Sequence, residues 1–198
     1  MRPRRSFLRV VSLGAVVAAA VPAASVWSLS QGLCPVEVKE VTVNGTSLSG
    51  FIAPGAVVTI LSGYYACHEP QPGDVAVYLY GGPAANDPLI KIVKGIPGDH
   101  VSLRKEGGSW NIWVNGRPLQ TTAGIPYAIA GGVFDAFSRF VAEAGGIIPP
   151  DRYLILGNLP AGSIDSTRFG FVEKRDLVGK AVSVSQKDSS NDHSWRLP

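Results

Sequence analysis

The sequence predicts a mostly β domain, built of antiparallel strands with one short inserted helix and preceded by a single N-terminal transmembrane helix. Three observations predict it. A long apolar stretch lies near the N-terminus, short β-rich runs separated by glycine and proline fill most of the remainder, and only one later segment has helical spacing. With 198 residues, of which 45% are hydrophobic and 17% charged, the chain is long enough for one domain with a core and is not of disordered composition.

The N-terminal segment predicts a membrane anchor. Residues 1–9 contain four arginines, and residues 10–30 are apolar or small throughout. About twenty such residues span a bilayer as a helix, and the positive charges before them predict a cytoplasmic N-terminus and an exported body. A signal peptide cut after Ala23 is the alternative, and it also places the body outside the cytoplasm.

Charge and cysteine content narrow the class of protein further. The formal net charge of +3 arises from the N-terminal arginines, so the body predicts no nucleic-acid surface. Cys34 and Cys67 both lie in the exported part, where a disulfide is chemically permitted. Two unpaired thiols remain the alternative, because sequence does not show how closely the two residues approach.

Short β-rich runs predict the strands of the body. Asn115-Gly116 follows one of these runs and is a strong hairpin signal. The predicted strands cover residues 36–43, 56–61, 74–80, 89–93, 100–104, 110–114, 153–156 and 178–184. We therefore predict one domain over 36–185, followed by a polar, flexible tail over 186–198.

One segment departs from the strand pattern. Phe134, Phe137 and Val141 recur at helical spacing within residues 133–144, which glycines bracket. The spacing predicts a short amphipathic helix whose apolar face packs on the domain. Contact of that face with lipid or substrate is the alternative.

Lys91 is the first candidate for chemistry. Alternation along its strand places it on the same face as Leu89 and Val93, and loss of solvation there lowers the pKa of an amine. A neutral lysine can accept a proton from a serine hydroxyl. The alternative is an edge strand from which Lys91 reaches water. Lys94 falls on the opposite face and is predicted to be solvated.

Ser47 is the second candidate. It lies in the loop 44–50, whose small residues allow a hydroxyl and a backbone N–H to approach a substrate carbonyl together. An ordinary polar loop is the alternative. The histidines lie in turns or in the tail, without the partners of a Ser-His-Asp system or a zinc site, and we predict no metal or cofactor.

Several segments, taken in order, resemble the bacterial type I signal peptidase family. The run GTSLSGFIAPG at 45–55 is similar to that family's G-x-S-M-x-P-x-L-x-P-G pattern, and PQPGDV at 70–75 is similar to its P-x-x-G-D-V strand start. IKIVKGIPGDHV at 90–101 resembles the box I-K-R-V-x-G-x-P-G-D-x-V. Residues 113–119 are similar to the family's hairpin motif, and residues 153–181 resemble its last conserved motif, which is called the last box.

The resemblance implies a membrane-anchored serine endopeptidase that removes signal peptides from exported proteins. It implies Ser47 as the nucleophile and Lys91 as its general base, with Ser163 orienting the lysine and Asp165 supporting that turn. It further implies that Gly45 or Thr46 helps to stabilise the oxyanion. Ile52 and Ile90 are implied to line shallow substrate pockets. The implied partners are signal peptides of preproteins and the lipid of the bacterial cytoplasmic membrane, with the catalytic domain on the extracytoplasmic side.

Departures from the family pattern keep alternatives open. Leu48 replaces a methionine, Gly50 replaces a proline, and the loop 157–163 lacks two acids and an arginine. Arg168 occurs one position late, so its pairing with Asp165 is not implied. The alternatives are a dedicated pilin or conjugative-transfer processing peptidase, a catalytically weak anchored β domain that binds exported chains, and a cytoplasmic self-cleaving repressor. The last lacks support, because the chain carries an anchor pattern and no helix-turn-helix pattern.

Overall fold

The computed structural model describes residues 34–81, 88–187 and 192–198. β-branched and aromatic residues, which favour a pleated, half-buried surface, form most of its strands. The strands are β1 (Glu37–Thr42), β2 (Val57–Ser62), β3 (Val75–Leu79), β4 (Pro88–Gly95), β5 (Val101–Glu106), β6 (Ser109–Val114), β7 (Arg117–Pro118), β8 (Ala128–Ile129), β9 (Arg152–Leu156), β10 (Val172–Glu173), β11 (Leu177–Lys187) and β12 (Asp192–Arg196). The helices are α1 (Gly131–Glu143) and α2 (Ser166–Phe169), with 3₁₀ turns at Tyr64–Ala66 and Lys174–Asp176.

Two antiparallel sheets organise these elements. The larger has the order β1-β2-β11-β3-β4-β9-β10, with β12 paired to β11. The smaller joins β5, β6 and β7, with β8 paired to β6. Because each neighbour in the larger sheet is antiparallel to the next, β1 and β4 run in the same direction.

Strand β4 is paired differently along its length. One edge pairs with β3 from Pro88 to Ile92, and the other pairs with β9 only from Ile92 onward. In the described sheet, the first half of β4 (residues 88–91) thus has one unpaired edge, and the second half (residues 92–95) is enclosed by β9.

The core lies on both faces of the larger sheet and under the smaller one. One apolar cluster packs beneath the loop between β1 and β2 and includes Leu48, Ile52 and Ile92. A second joins the smaller sheet to α1 and β9, and a third covers the other face of β3, β4 and β9.

The predicted hairpin and helix are confirmed. Asn115 and Gly116 have φ of 50° and 75°, the left-handed pair that a tight two-residue turn requires. Helix α1 begins two residues before the predicted segment, and its Phe137 is fully buried in the second cluster.

The tail differs from the prediction. Residues 192–196 form β12, which pairs with β11. Leu197 is buried in the first core cluster, and Trp195 packs against it. The polar composition of 186–198 concealed two apolar anchors, and burying them offsets the entropy that a free tail would keep.

Cys34 and Cys67 form a disulfide, which resolves the alternatives that the sequence left open. Their Cα atoms are 5.8 Å apart, within the usual range for a disulfide. The bond joins the start of the described chain to the 3₁₀ turn after β2.

The predicted anchor, residues 10–30, lies outside the described residues. Among the residues that the structure does describe, no helix has the length and apolar character needed to cross a membrane.

Candidate active site

Ser47 lies in the loop 43–56, which joins β1 to β2 and is called the nucleophile loop below. The backbone N–H of its first residue donates to the carbonyl of its last at 2.8 Å. Inside the loop, Leu48 and Ile52 are completely buried, and the N–H of Ile52 donates to Leu48 O at 2.8 Å. These contacts fasten the loop to the core, and Ser47 is left half-buried beside β4.

Lys91 lies in the first half of β4 and points its amine at the nucleophile loop. Its residue is 2% exposed, and Nζ is 3.0 Å from both Ser47 Oγ and the carbonyl oxygen of Ile90. Burial lowers the pKa of Lys91 to about 8, although the charge of Asp165 opposes this. At that pKa about one tenth of the amine is neutral at pH 7, against far less for an ordinary lysine, and this neutral form can accept the serine proton.

Asp165 organises the segment behind the dyad. It is completely buried and caps the N-terminus of α2. Its carboxylate accepts from Gly157 N, from Ser163 N and Oγ, and from Thr167 N and Oγ1, at 2.7 to 3.1 Å. Five donors satisfy the buried charge and hold the ends of the loop 157–165 together.

Ser163 is near the site but does not make the contact that the resemblance implies. Its hydroxyl donates to Asp165 at 2.7 Å, because a carboxylate is the stronger acceptor. Among the described residues, the hydrogen-bond partners of Lys91 Nζ are the Ser47 hydroxyl and a backbone carbonyl. Arg168 Nε donates to the carbonyl of Ser163 at 3.1 Å and makes no ion pair with Asp165 in this part of the chain.

Gly157 permits the close approach of this segment to the nucleophile loop. A Cβ built on it would lie 2.7 Å from the carbonyl oxygen of Ser47 and 2.5 Å from Ser163 Oγ. The next residue, Asn158, donates its backbone N–H to Ser47 O at 2.6 Å. Asn158 is not among the residues predicted from the sequence; the signal that points to it is its place in the family's last box, where the pattern has an aspartate.

Backbone donors surround Ser47. Within the described part of the chain, the N–H groups of Gly45, Thr46 and Ser47 donate to no other residue. These N–H groups are the candidate donors to a substrate carbonyl oxygen at Ser47.

A cleft of about 630 Å³ opens from the dyad between β1 and the first half of β4. Its walls are mainly apolar and include Val41 and Ile90. Of the described residues that line it, only Lys39 and Lys91 are charged. The cleft is suited to an extended, uncharged peptide segment.

Of the two predicted pocket residues, one lines the cleft and the other is buried in the core. Ile90 lines the cleft and is half-buried. Ile52 does not line it and has no exposed surface, because its side chain is buried in the first core cluster. The prediction for Ile52 is therefore corrected to a supporting role beneath the loop.

Lys94 was predicted to be solvated, and the structure contradicts this. It is half-buried, its Nζ donates to Gln120 O at 2.8 Å, and it lies 5.6 Å from the centre of the Tyr127 ring. Burial lowers the pKa of Lys94 as well.

The family model described as "Signal peptidase, peptidase S26" matches residues 13–185. The chain belongs to this family. The resemblance drawn from the sequence motifs is thereby confirmed, and the match includes the nucleophile loop, β4 and the Asp165 segment.

Individual signal peptidases are similar over part of their length. "Probable signal peptidase I-2" of Synechocystis sp. is 30% identical over 122 residues, which are 59% of this chain and 49% of that protein. "Signal peptidase IB" of Staphylococcus aureus strain COL is 27% identical over 147 residues, 70% of this chain and 73% of that protein. The chain thus spans about half the length of the first relative. A crystallised signal peptidase I from Enterococcus faecalis V583 aligns with a TM-score of 0.36 and 21% identity, over 57% of this chain and 97% of that one.

Proposed function

We propose that this protein is a membrane-anchored serine endopeptidase that removes signal peptides from exported proteins, with Ser47 as nucleophile and Lys91 as general base. One observation carries the proposal: a buried lysine amine lies 3.0 Å from a serine hydroxyl at the head of a peptide-sized cleft. Membership of the signal peptidase family supports the same reaction.

The chemistry begins with neutral Lys91. Its amine takes the proton of the Ser47 hydroxyl, and Oγ forms a bond to the scissile carbonyl carbon. The negative charge on the carbonyl oxygen is stabilised by the N–H of Ser47, assisted by Gly45 or Thr46. When the peptide C–N bond breaks, the Lys91 ammonium returns its proton to the leaving amine.

The acyl-enzyme is then hydrolysed by the same pair of groups. Lys91, neutral again, removes a proton from a water molecule, whose oxygen attacks the ester carbonyl. The ester C–O bond breaks, and Ser47 recovers its proton from Lys91. In this scheme, Ser163 and Asp165 hold the segment behind the dyad and do not contact the reacting atoms.

Substrate direction follows from the topology. The residues before the cut occupy the cleft, and both β1 and the first half of β4 run toward the dyad. A substrate whose chain also runs toward the dyad is therefore parallel to both strands and can hydrogen-bond to the unpaired edge of β4. The family implies small side chains at the first and third positions before the cut, and Ile90 lines the wall beside them.

Location follows from the anchor predicted for residues 10–30. We place the protein in the bacterial cytoplasmic membrane as a single-pass protein, with its body on the extracytoplasmic side. The Cys34–Cys67 disulfide supports an oxidising compartment for the body. Sharing a membrane surface with the substrate raises the effective concentration of both.

The test is cleavage of a preprotein by the full chain purified in detergent. We expect wild type to release one product whose N-terminus, by mass spectrometry, is that of the mature protein. Ser47→Ala is expected to release none. Ser138→Ala is the matched control, because that hydroxyl donates to the carbonyl of Asp135 within α1. Continued cleavage by Ser47→Ala would refute the assignment of the nucleophile.

A further inference from the structure

We propose that Asn158 is a positioning residue that holds the carbonyls on both sides of Leu48, and thereby keeps the Ser47 hydroxyl within reach of Lys91. The proposal rests on the proposed function, because it assigns a task to Asn158 within that site. Neither the motifs nor the predicted dyad required it.

The contacts of Asn158 converge on the nucleophile loop. Its backbone N–H donates to Ser47 O at 2.6 Å, and its side-chain Nδ2 donates to Ser49 O at 3.1 Å. One residue thus binds the carbonyl of the nucleophile and the carbonyl two residues later. A shift of either carbonyl would move Ser47 Oγ relative to the amine of Lys91.

The same side chain fastens a second segment. Asn158 Nδ2 also donates to Thr122 Oγ1 at 3.0 Å, and Asn158 Oδ1 accepts from Thr122 N at 2.8 Å. Thr122 belongs to the turn 121–125. Two hydrogen bonds close this turn: Gly124 N and Ile125 N both donate to Thr121. Asn158 therefore joins the nucleophile loop to a turn with its own internal support.

The Asn158 side chain is held in one position by its surroundings. The residue is 4% exposed, and both Nδ2 protons have partners. The preceding Gly157 is fixed through its N–H by Asp165 and through its carbonyl by the Tyr127 hydroxyl. A buried amide held on both sides in this way transmits a defined geometry.

The family pattern has an aspartate here, but among the contacts of this chain an aspartate would lose the bond to Ser49 O although it has nearly the same shape. Its carboxylate has no proton for Ser49 O, so two oxygens would face each other in a buried site. Alanine would leave the Ser49 carbonyl and the Thr122 N–H without their partner. Both changes are expected to loosen the loop without touching Lys91.

The experiment measures kcat and KM of the full chain on a preprotein, per active site titrated by acylation. For Asn158→Ala and Asn158→Asp we expect kcat to fall about 10- to 100-fold, since misplacement by about 1 Å costs that much, with KM within about threefold. The pH profile of kcat/KM for Asn158→Ala is expected to keep its midpoint, because Asn158 makes no hydrogen bond to Lys91.

Two controls separate positioning from general stability. Asn111 is 7% exposed and donates to Glu106 in the smaller sheet, so Asn111→Ala should lower the melting temperature but leave kcat unchanged. Thr122→Ser keeps the hydroxyl that accepts from Asn158 and should retain kcat, whereas Thr122→Ala should lose part of it. Equal kcat losses for Asn111→Ala and Asn158→Ala would overturn the proposal, as would an unchanged kcat in Asn158→Ala.

A second readout separates this proposal from the proposed function. The rate at which a small p-nitrophenyl ester acylates Ser47 is followed by intact mass, with Ser47→Ala as the blank. A slower acylation of Asn158→Ala supports positioning even if wild type cuts no preprotein. Equal acylation rates in wild type and Asn158→Ala overturn it.

Discussion

The two halves of β4 each carry a lysine with a lowered pKa, yet only one of them faces a nucleophile. Lys91 is in the half with an unpaired edge, and its amine meets Ser47 Oγ at 3.0 Å. Lys94 is in the half enclosed by β9, and its amine meets a backbone carbonyl and an aromatic ring. Burial alone therefore does not select the base. Lys91 is selected as the base because the unpaired edge of the first half of β4 leaves room for the nucleophile loop and a substrate.

The largest expected effect tests this comparison directly. Lys91→Met keeps the length and apolar stem of the side chain but removes the base, so kcat/KM on a preprotein should fall at least about 1,000-fold. Lys94→Met removes an amine with the same direction of pKa shift and should change kcat/KM less than about threefold. If both variants lost activity alike, the two halves of β4 would not differ as we infer.

The junction between the two halves is the next point to perturb. Gly157 lies just after β9 ends, and a methyl group there would press on Ser47 O and Ser163 Oγ. We expect Gly157→Ala to lower kcat about 100-fold, because it displaces the nucleophile from Lys91.

Gly132→Ala is the control for that substitution. In the part of the chain that the structure describes, no atom beyond the adjacent residues and the backbone of its own helix lies within 4 Å of a Cβ built at Gly132, and alanine is the better helix former in α1. Its kcat should stay within about twofold of wild type. A Gly157→Ala enzyme of normal kcat would show that the close approach at Gly157 is not needed for catalysis.

The pH dependence of kcat/KM distinguishes a lysine base from other bases. Only the neutral amine accepts a proton, so activity should rise with pH and level off above the pKa of about 8 of Lys91. Below that pKa it should fall about tenfold per pH unit. Asp165→Asn removes a charge that raises the pKa of Lys91, and should move the midpoint to lower pH. A midpoint that moved to higher pH would contradict this coupling.

The smallest effect on kcat is expected beside Lys94, in the half of β4 that is paired with β9. Tyr127→Phe removes the hydroxyl that donates to Gly157 O but keeps the ring beneath Lys94. Leaving that buried carbonyl without its donor should lower the free energy of unfolding by about 1–3 kcal/mol. Denaturant unfolding measures the loss, and kcat should fall less than in Asn158→Ala, because the N–H of Gly157 remains held by Asp165. A larger loss of kcat than in Gly157→Ala would reverse the proposed ranking.

Particular residues show how far sequence reasoning reached. Alternation of apolar residues predicted most strands and placed Lys91 on an apolar face, but left open whether its amine reaches water; the structure buries it. Helical spacing predicted α1, and both patterns are local. The family resemblance placed Ile52 in a pocket, and polar composition predicted a flexible tail over 186–198. Those predictions were wrong because the direction of a loop side chain and the burial of Leu197 depend on partners far along the chain.

The sequence by itself determined the strand-rich class, the turn at Asn115-Gly116 and the family, since motifs and periodicity are properties of consecutive residues. Only the tertiary structure decided that Cys34 bonds Cys67, that Ser163 serves Asp165, and that Asn158 binds the nucleophile loop. Each of these contacts competes with other partners over distances of a few ångströms. The competition is settled by how β4, β9 and the loops pack, which no local pattern encodes.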